Sequence, residues 1–326
     1  MPAVRILVAE SERFSPEAAE LLRGAGRLEL AELDRAGLLA ALAEVEVLWV
    51  RLRHRVDEEV LSAAPRLRAV VSPTTGLNHV DLRAAEARGV SVLSLRGETD
   101  FLKEVRATAE HTVGLMLALM RHIPAAVEDV RAGAWARDRF VGSELHERAV
   151  GVVGYGRLGR IVARYLACFG ARVTVTDPHL DRAELEPGVG AASLPELLEG
   201  SRLVTLHADL NEDNHGFFGR AEFARMPPGA LFVNTARGEL VDERALLEAL
   251  RSGRLAGAAL DVLAGESAAG MGGHPLVDYA REHGNLLITP HVGGATAESM
   301  ERTERFMAGR LLEFLSRAQD TPGPAA

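Results

Sequence analysis

The chain has 326 residues, which is too many for one ordinary hydrophobic core and predicts two domains. Hydrophobic residues make up 47% of it and charged residues 25%, as is typical of a globular protein. The formal net charge of -9 argues against a nucleic-acid partner, because such a partner favours a basic face.

Neither a membrane nor an oxidising compartment is indicated. The longest apolar run, residues 113–120, is far shorter than the roughly 20 residues that span a bilayer. The N-terminal apolar run, residues 4–9, is typical of a first strand rather than of a signal peptide. Cys168 is the only cysteine, so no internal disulfide can form and we expect a cytoplasmic protein.

The first hundred residues alternate predicted strands and helices. Ser15 and Pro16 open the first helix, as a cap and a first-turn residue, and Gly89 ends another. This alternation predicts a parallel sheet in an α/β domain. The predicted strands are 4–9, 28–33, 45–50, 67–72 and 90–95, and the helices between them include 57–64 and 80–88.

A second alternating region follows a single long buried helix, predicted over residues 101–121, and a looser segment, 125–147. It predicts a second doubly wound sheet. A final helix is expected over about 296–315, before a disordered tail, 320–326. The predicted strands of this region are 149–153, 172–176, 203–207, 230–234, 256–260 and 286–289.

A glycine-rich turn follows the first strand of the second region. Gly154, Gly156 and Gly159 form the pattern G-x-G-x-x-G directly after the strand and at the start of a helix. The first glycine allows the tight turn, the second lets backbone approach a pyrophosphate, and the third lets helix and strand pack closely. The helix N-terminus offers N–H groups to the phosphates, so the pattern predicts a dinucleotide site.

An acidic residue stands where such a site requires one. Asp177 lies 18 residues beyond Gly159, at the end of the next predicted strand. A carboxylate there can accept from ribose hydroxyls and repel a 2′-phosphate, which favours NAD over NADP. The alternative is that Asp177 only starts a turn with Pro178.

Three polar side chains follow three successive predicted strands, and their loops should converge at the carboxyl edge of the sheet. Arg237 is suited to binding a substrate carboxylate, and His291 to donating a proton to a carbonyl oxygen. Glu266 would orient the imidazole ring of His291. Taken singly, Arg237 could be a surface ion-pair residue and His291 a buried structural histidine.

Two other features leave alternatives open. The run of Arg51, Arg53 and Arg55 could bind a second acidic group on a substrate, or it could be a solvated face after a strand. The histidines show no metal-ligand spacing, so no metal is expected.

In these motifs the chain resembles the D-isomer-specific 2-hydroxyacid dehydrogenases. The resemblance extends from about residue 45 to 306 and rests on matching segments in the same order. These segments are TTGLNHVDL (74–82), TAEHTVGLMLALMR (108–121), GVVGYGRLGR (151–160), NTARGELVDERALLEAL (234–250), GAALDV (257–262) and TPHVGGAT (289–296).

The resemblance implies an NAD-dependent enzyme that moves a hydride between nicotinamide and C2 of a small 2-keto or 2-hydroxy acid. Arg237, Glu266 and His291 would be its catalytic residues. The implied cofactor residues are Gly154, Gly156, Arg157, Leu158, Gly159, Asp177, His207, Thr235, Ala236, Asp261 and Thr112. The implied substrate residues are Arg51, Leu52, Thr75, Gly76, Arg237 and His291.

The resemblance also implies an architecture of two doubly wound α/β domains. A Rossmann NAD-binding domain, residues 101–296, would be inserted into a flavodoxin-like substrate domain formed by 1–100 and 297–326. A homodimer is expected through the NAD-binding domain, with Trp135 in its arm. No C-terminal regulatory domain of the kind seen in longer family members is expected.

The chain departs from the family pattern at two places. Ser267 and a glycine-rich stretch, 268–273, follow Glu266 where the family often has proline, and Asp209 stands near the expected adenosine edge.

Two alternative functions remain. One is an enzyme that oxidises formate or phosphite, against which Glu266 argues because formate-type members carry Gln there. The other is an NAD(H)-sensing binding protein that resembles the family's corepressors.

Overall fold

A computed structural model describes residues 4–266 and 270–320, which divide into two compact units. One unit comprises the described residues up to Val105 and those from Ala295 onward; the other is Arg106–Gly294. The chain therefore leaves the first unit, forms the second and returns. The predicted departures at residues 267–269 and the predicted disorder of 321–326 lie outside the described residues.

All strands of both units pair in parallel. The strands are β1 (Val4–Val8), β2 (Gly26–Leu30), β3 (Val47–Trp49), β4 (Ala69–Ser72), β5 (Ser91–Ser94), β6 (Ala149–Val153), β7 (Arg172–Thr176), β8 (Val189–Ala191), β9 (Leu203–Leu206), β10 (Ala230–Asn234), β11 (Leu255–Leu260) and β12 (Leu286–Ile288). The helices are α1 (Pro16–Ala25), α2 (Arg35–Ala41), α3 (Glu58–Ala63), α4 (Leu82–Ala87), α5 (Thr99–Leu102), α6 (Ala107–Met120), α7 (Ile123–Arg131), α8 (Arg157–Cys168), α9 (Leu194–Gly200), α10 (Arg220–Arg225), α11 (Glu243–Arg251), α12 (Pro275–Glu282) and α13 (Ala297–Asp320).

The first unit is a five-stranded sheet in the order β2-β1-β3-β4-β5, which is the flavodoxin-like order. Alternate residues of its strands point to opposite faces of the sheet. Helices cover both faces, so apolar side chains are buried on each of them. Ile6 packs with Leu22 of α1 and Leu311 of α13, whereas Leu48 faces a second cluster that includes Leu38 of α2. The last helix of the chain therefore completes the core of the first unit.

The second unit is a seven-stranded sheet in the order β12-β11-β10-β9-β6-β7-β8. When β6 is taken as the first strand, this is the Rossmann strand order with β12 as one additional strand at the edge. The order of the strands along the chain reverses beside β6. Two apolar clusters cover its faces; one is built around Phe232 and the other around Val152. The predicted fold class, two doubly wound α/β domains, is confirmed.

The single long helix predicted over 101–121 is wrong. The structure has two helices there, α5 and α6, because the chain passes from one unit to the other between Val105 and Arg106. The hydrophobic pattern carried no sign of this break. The segment predicted to be loose contains helix α7, whose apolar side chains remain exposed.

One strand was not predicted, and another lies earlier in the chain than predicted. Strand β8 was missed because it is three residues of an edge strand that contains Gly190 and shows no apolar alternation. Strand β2 begins at Gly26 rather than residue 28. A β-carbon at Gly26 would lie 2.1 Å from the Val4 carbonyl oxygen, so only glycine permits this approach. Within the described ranges, no helix combines the length and apolarity that crossing a bilayer requires.

Candidate active site

The glycine turn after β6 has the geometry that the motif predicts. Gly154 has a φ of +94°, and a β-carbon there would lie 2.5 Å from the carbonyl carbon of His207. A β-carbon at Gly159 would lie 2.0 Å from the Gly154 carbonyl oxygen. At Gly156, by contrast, nothing lies within 4 Å of the β-carbon position. The turn is thus tight on the protein side and open at the N-terminus of α8, where a phosphate group fits.

Asp177 holds this turn from the end of β7. Its Oδ2 accepts from the backbone N–H of Tyr155 at 2.8 Å, and its Oδ1 accepts from that of His179 at 2.8 Å. Asp177 therefore does take part in a local turn, which was the alternative role considered for it. It is compatible with cofactor binding, because each carboxylate oxygen keeps a second lone pair for a ribose hydroxyl.

His207 and Arg157 flank the same turn. His207 is buried, its Nε2 lies 3.0 Å from the Thr205 hydroxyl, and burial lowers the pKa of the ring to about 3. The ring is therefore neutral, and the backbone of His207 lies directly behind Gly154. Arg157 is the first residue of α8; burial lowers the pKa of its guanidinium, and the nearby Asp209 carboxylate opposes that shift. Leu158, the next residue, packs partly buried against the core.

The loop after β10 carries Arg237 and is shaped by Asn234. The buried Asn234 side chain accepts from the Ala236 N–H at 2.9 Å and donates to the Arg237 carbonyl oxygen at 2.8 Å. A β-carbon at Gly238 would lie 2.1 Å from the Leu263 carbonyl carbon, so the loops after β10 and β11 are in backbone contact. Asn234 was not predicted as a site residue, although it is the first residue of the N-T-A-R-G segment.

Thr235 and Thr112 brace this loop against α6. Their hydroxyl oxygens lie 2.7 Å apart, and the Thr112 hydroxyl also donates to the Thr108 carbonyl oxygen at 2.7 Å. Both side chains are buried. This contact fixes the loop, while their predicted contact with a cofactor stays a prediction.

Asp261, at the end of β11, is a buried anion that organises the loop after β12. Its side chain is 2% exposed. Its oxygens accept from the Thr289 hydroxyl at 2.6 Å and from the N–H groups of Val292 at 2.9 Å and Gly293 at 2.8 Å. The His111 Nε2 lies 3.2 Å from the same carboxylate. Asp261 therefore holds the loop after β12 in place. The sequence had predicted only a contact with the cofactor for this residue.

His291 sits on the loop that Asp261 holds, and it contacts Glu266. Its φ is 53°, in the left-handed region that non-glycine residues rarely adopt. Its N–H donates to the Asp261 carbonyl oxygen at 2.8 Å. Nδ1 of the ring and Oε1 of Glu266 are hydrogen-bonded. The structure therefore brings two of the three predicted catalytic side chains into direct contact.

A second acid–histidine pair supports the Glu266 loop. Glu243, at the start of α11, accepts from the Ala264 N–H at 2.8 Å, and its other oxygen lies 3.1 Å from Nε2 of His274. Burial raises the pKa of Glu243, although the Ala264 N–H and His274 oppose that shift. The Glu266 side chain also accepts from the Leu263 N–H at 3.3 Å.

The predicted substrate residues of the first unit follow β3 and β4. Thr75 is exposed and Gly76 is partly exposed; their N–H groups meet no acceptor among the residues that the structure describes. The Thr74 hydroxyl donates to the Gly76 carbonyl oxygen at 2.8 Å and fixes this loop. Leu52 is 43% exposed, while the Arg51 guanidinium contacts a buried glutamate of α13.

Comparison with known proteins identifies the family. Residues 113–293 match the family described as "D-isomer specific 2-hydroxyacid dehydrogenase, NAD binding domain". The chain belongs to this family. The matched region contains the glycine turn, Arg237, Glu266 and His291.

Individual relatives agree with this membership. The D-3-phosphoglycerate dehydrogenase of Mycobacterium bovis is 39% identical over 270 residues, which are 82% of this chain and 49% of that protein. The chain thus spans about half the length of the curated relatives it matches. The TT0316 protein of Thermus thermophilus is 34% identical with a TM-score of 0.82, covering 99% of this chain and 100% of that one. Aquifex aeolicus D-lactate dehydrogenase, solved with NAD and lactic acid, is 26% identical with a TM-score of 0.82 and covers 98% and 99%.

NAD is the cofactor, and the residues present fit it. The open position at Gly156 and the positive end of α8 suit a pyrophosphate, and the carboxylate of Asp177 suits ribose hydroxyls. Within the described ranges, no group of three or more His, Cys, Asp or Glu side chains could hold a metal ion.

We predict that Gly156→Ala folds normally but binds NADH about tenfold or more weakly, because its β-carbon would occupy only the space left for the pyrophosphate. Urea unfolding and a fluorescence titration with NADH measure the two effects. Gly200→Ala, which also adds a β-carbon in open space, is the matched control. Unchanged NADH affinity in Gly156→Ala would show that the pyrophosphate lies elsewhere.

His207 should make stability depend on pH. Its folded-state pKa, about 3, lies below the unfolded value, so the neutral ring stabilises the fold above about pH 6.5 and this contribution is lost as pH falls towards 3. We predict that His207→Gln flattens the fall in unfolding free energy by up to about 1.4 kcal/mol per pH unit across this window. Urea unfolding from pH 7 to 4 measures it, with the exposed His179→Gln as control. An unchanged slope in His207→Gln would refute this assignment.

Proposed function

We propose that the chain is an NAD-dependent oxidoreductase acting on the CH–OH group of D-2-hydroxy acids, or on the matching 2-keto acids. Family membership supports the reaction class. The observation that carries the proposal is the hydrogen bond between His291 and Glu266 on loops from neighbouring parallel strands. A formate-type enzyme is disfavoured because Glu266 is a glutamate, as the sequence had indicated.

In this proposal Arg237, His291 and Glu266 each have a separate role. Arg237 binds the substrate carboxylate, since its planar guanidinium matches a carboxylate. Because Glu266 engages Nδ1 of His291, Nε2 is the ring nitrogen that faces the carbonyl oxygen and donates a proton to it. Bound NADH supplies the hydride. In the reverse direction the neutral His291 accepts the hydroxyl proton, and Glu266 stabilises the resulting imidazolium.

The remaining residues have supporting roles in this proposal. Asp261 positions His291 through the backbone of residues 291–293, and Asn234 positions Arg237. We propose that the first unit is the substrate domain and that Thr75 and Gly76 offer backbone N–H groups to the substrate carboxylate. Among the described residues the N–H groups of Thr75 and Gly76 meet no acceptor, which supports this role.

The reaction class is tested by following NADH oxidation at 340 nm with a panel of 2-keto acids, in wild type and in His291→Asn. We predict that His291→Asn lowers kcat by about 10²–10⁴-fold with NADH affinity unchanged, because only the proton donor is removed. The exposed His283→Asn is the matched control. Turnover unaffected by His291→Asn would remove His291 from the mechanism. No turnover in wild type despite NADH binding would favour the NAD(H)-sensing alternative.

We further propose that the protein is a homodimer that pairs through α7 and the segment after it. No residue of α7 is buried, and its apolar side chains repeat at helical spacing, with Ile123 46%, Val127 42% and Val130 52% exposed. Trp135 is 87% exposed beside them. An apolar stripe of this kind can pack against the same stripe of a second copy, because two-fold symmetry brings identical surfaces together.

We predict that Val127→Asp converts the dimer to a monomer, because it places a charge in the apolar stripe. Sedimentation velocity measures the oligomeric state. Leu21→Asp, at a position 38% exposed in the first unit, is the control and should leave the dimer intact. A wild-type monomer at micromolar concentration would refute the dimer.

A further inference from the structure

The loop after β3 in the first unit carries three arginines, Arg51, Arg53 and Arg55. β3 and β4 are neighbouring parallel strands, so this loop leaves the same sheet edge as the Thr75–Gly76 loop. Whether these arginines can bind an anion depends on which of their charges are already compensated.

Arg51 is committed to a buried carboxylate. Its Nε donates to Oε1 of Glu304 at 2.9 Å, its Nη2 donates to the same oxygen, and its Nη1 donates to the Glu12 carbonyl oxygen at 2.8 Å. The Glu304 side chain is 1% exposed, and its second oxygen accepts from the Ser15 N–H at 2.7 Å. A carboxylate buried this deeply requires its cation, so Arg51 cannot turn to another anion without leaving Glu304 uncompensated.

The rest of the loop is also faced by carboxylates. Arg53 forms an ion pair with Glu32, whose other oxygen accepts from the Glu12 N–H at 2.7 Å. Glu10 is buried and accepts from three backbone N–H groups of the loop. These are the N–H groups of Arg51 at 3.0 Å, Arg53 at 3.2 Å and His54 at 3.2 Å. Arg51 and Arg53 thus each have a carboxylate partner, while Glu10 accepts from the loop backbone. Glu10, Glu32 and Glu304 are together called the acidic cradle below.

We propose that the acidic cradle makes this enzyme select 2-keto acids whose carboxylate is their only anionic group. The inference rests on the proposed function and deepens it. A substrate phosphate or distal carboxylate near Arg51 and Arg53 would meet guanidinium groups that are already paired, together with glutamates of like charge. The inference therefore separates this chain from relatives named for 3-phosphoglycerate, although it resembles them in sequence.

The test compares hydroxypyruvate with 3-phosphohydroxypyruvate, which share a carbon skeleton and differ by one phosphate. We predict that kcat/KM favours hydroxypyruvate by about tenfold or more, since like charges disfavour the second anion. Calorimetric titration of both acids into the NADH complex gives their binding order independently of turnover. Tighter binding of the phosphorylated acid, or no binding of either acid, overturns the proposal. If neither acid is reduced, the panel of 2-keto acids decides the proposed function, while the binding order still decides this inference.

Glu32→Gln tests the cause, because it releases Arg53 at a partly exposed position. It is expected to lower KM for the phosphorylated acid by about threefold to tenfold and to leave KM for hydroxypyruvate within about twofold. Glu29→Gln is the matched control, since it removes one exposed carboxylate from the same strand region. Equal effects of the two variants on the ratio of the two KM values would refute the acidic cradle as the origin of selectivity.

Discussion

The loop that carries His291 in the second unit depends on one buried carboxylate. Asp261 has almost no solvent exposure, so its charge must be satisfied by the protein, and it is met by a hydroxyl and two backbone N–H groups of the loop after β12. Those contacts hold His291 at a positive φ, a conformation that costs about 1–3 kcal/mol and persists only when its surroundings determine it. Loss of this carboxylate would release the strain and the orientation of the imidazole together.

The partner of His291 is held with similar redundancy. Glu266 is itself 38% exposed, so its own burial does not fix it. The backbone beneath it is fixed by Glu243, which accepts from the Ala264 N–H and pairs with His274. The close approach at Gly238 adds a steric constraint from the loop after β10. His291 and Glu266 thus lie on loops that are held through backbone contacts, which limits how far either side chain can move.

The sequence predicted most reliably those features that arise from neighbouring residues. The glycine turn follows from three glycines within six positions, and strands β6, β7 and β10 have the predicted bounds because alternating or continuous apolar runs mark them. Contacts between distant residues were not predicted. The hydroxyl pair of Thr112 and Thr235 joins positions 123 residues apart, and no local pattern marks it. The break between α5 and α6 was missed for the same reason, because it depends on which unit each half joins.

Arg51 shows why residue identity alone does not determine substrate charge. Its partner Glu304 lies 253 positions away on α13, and it reaches the loop after β3 only because the chain returns to complete the first core. A motif that contains the arginine but not the glutamate suggests an anion site, whereas the folded chain presents an ion pair. Since function is determined by the site rather than by the fold, a substrate inferred from relatives has to account for the compensating charges as well as for the arginines.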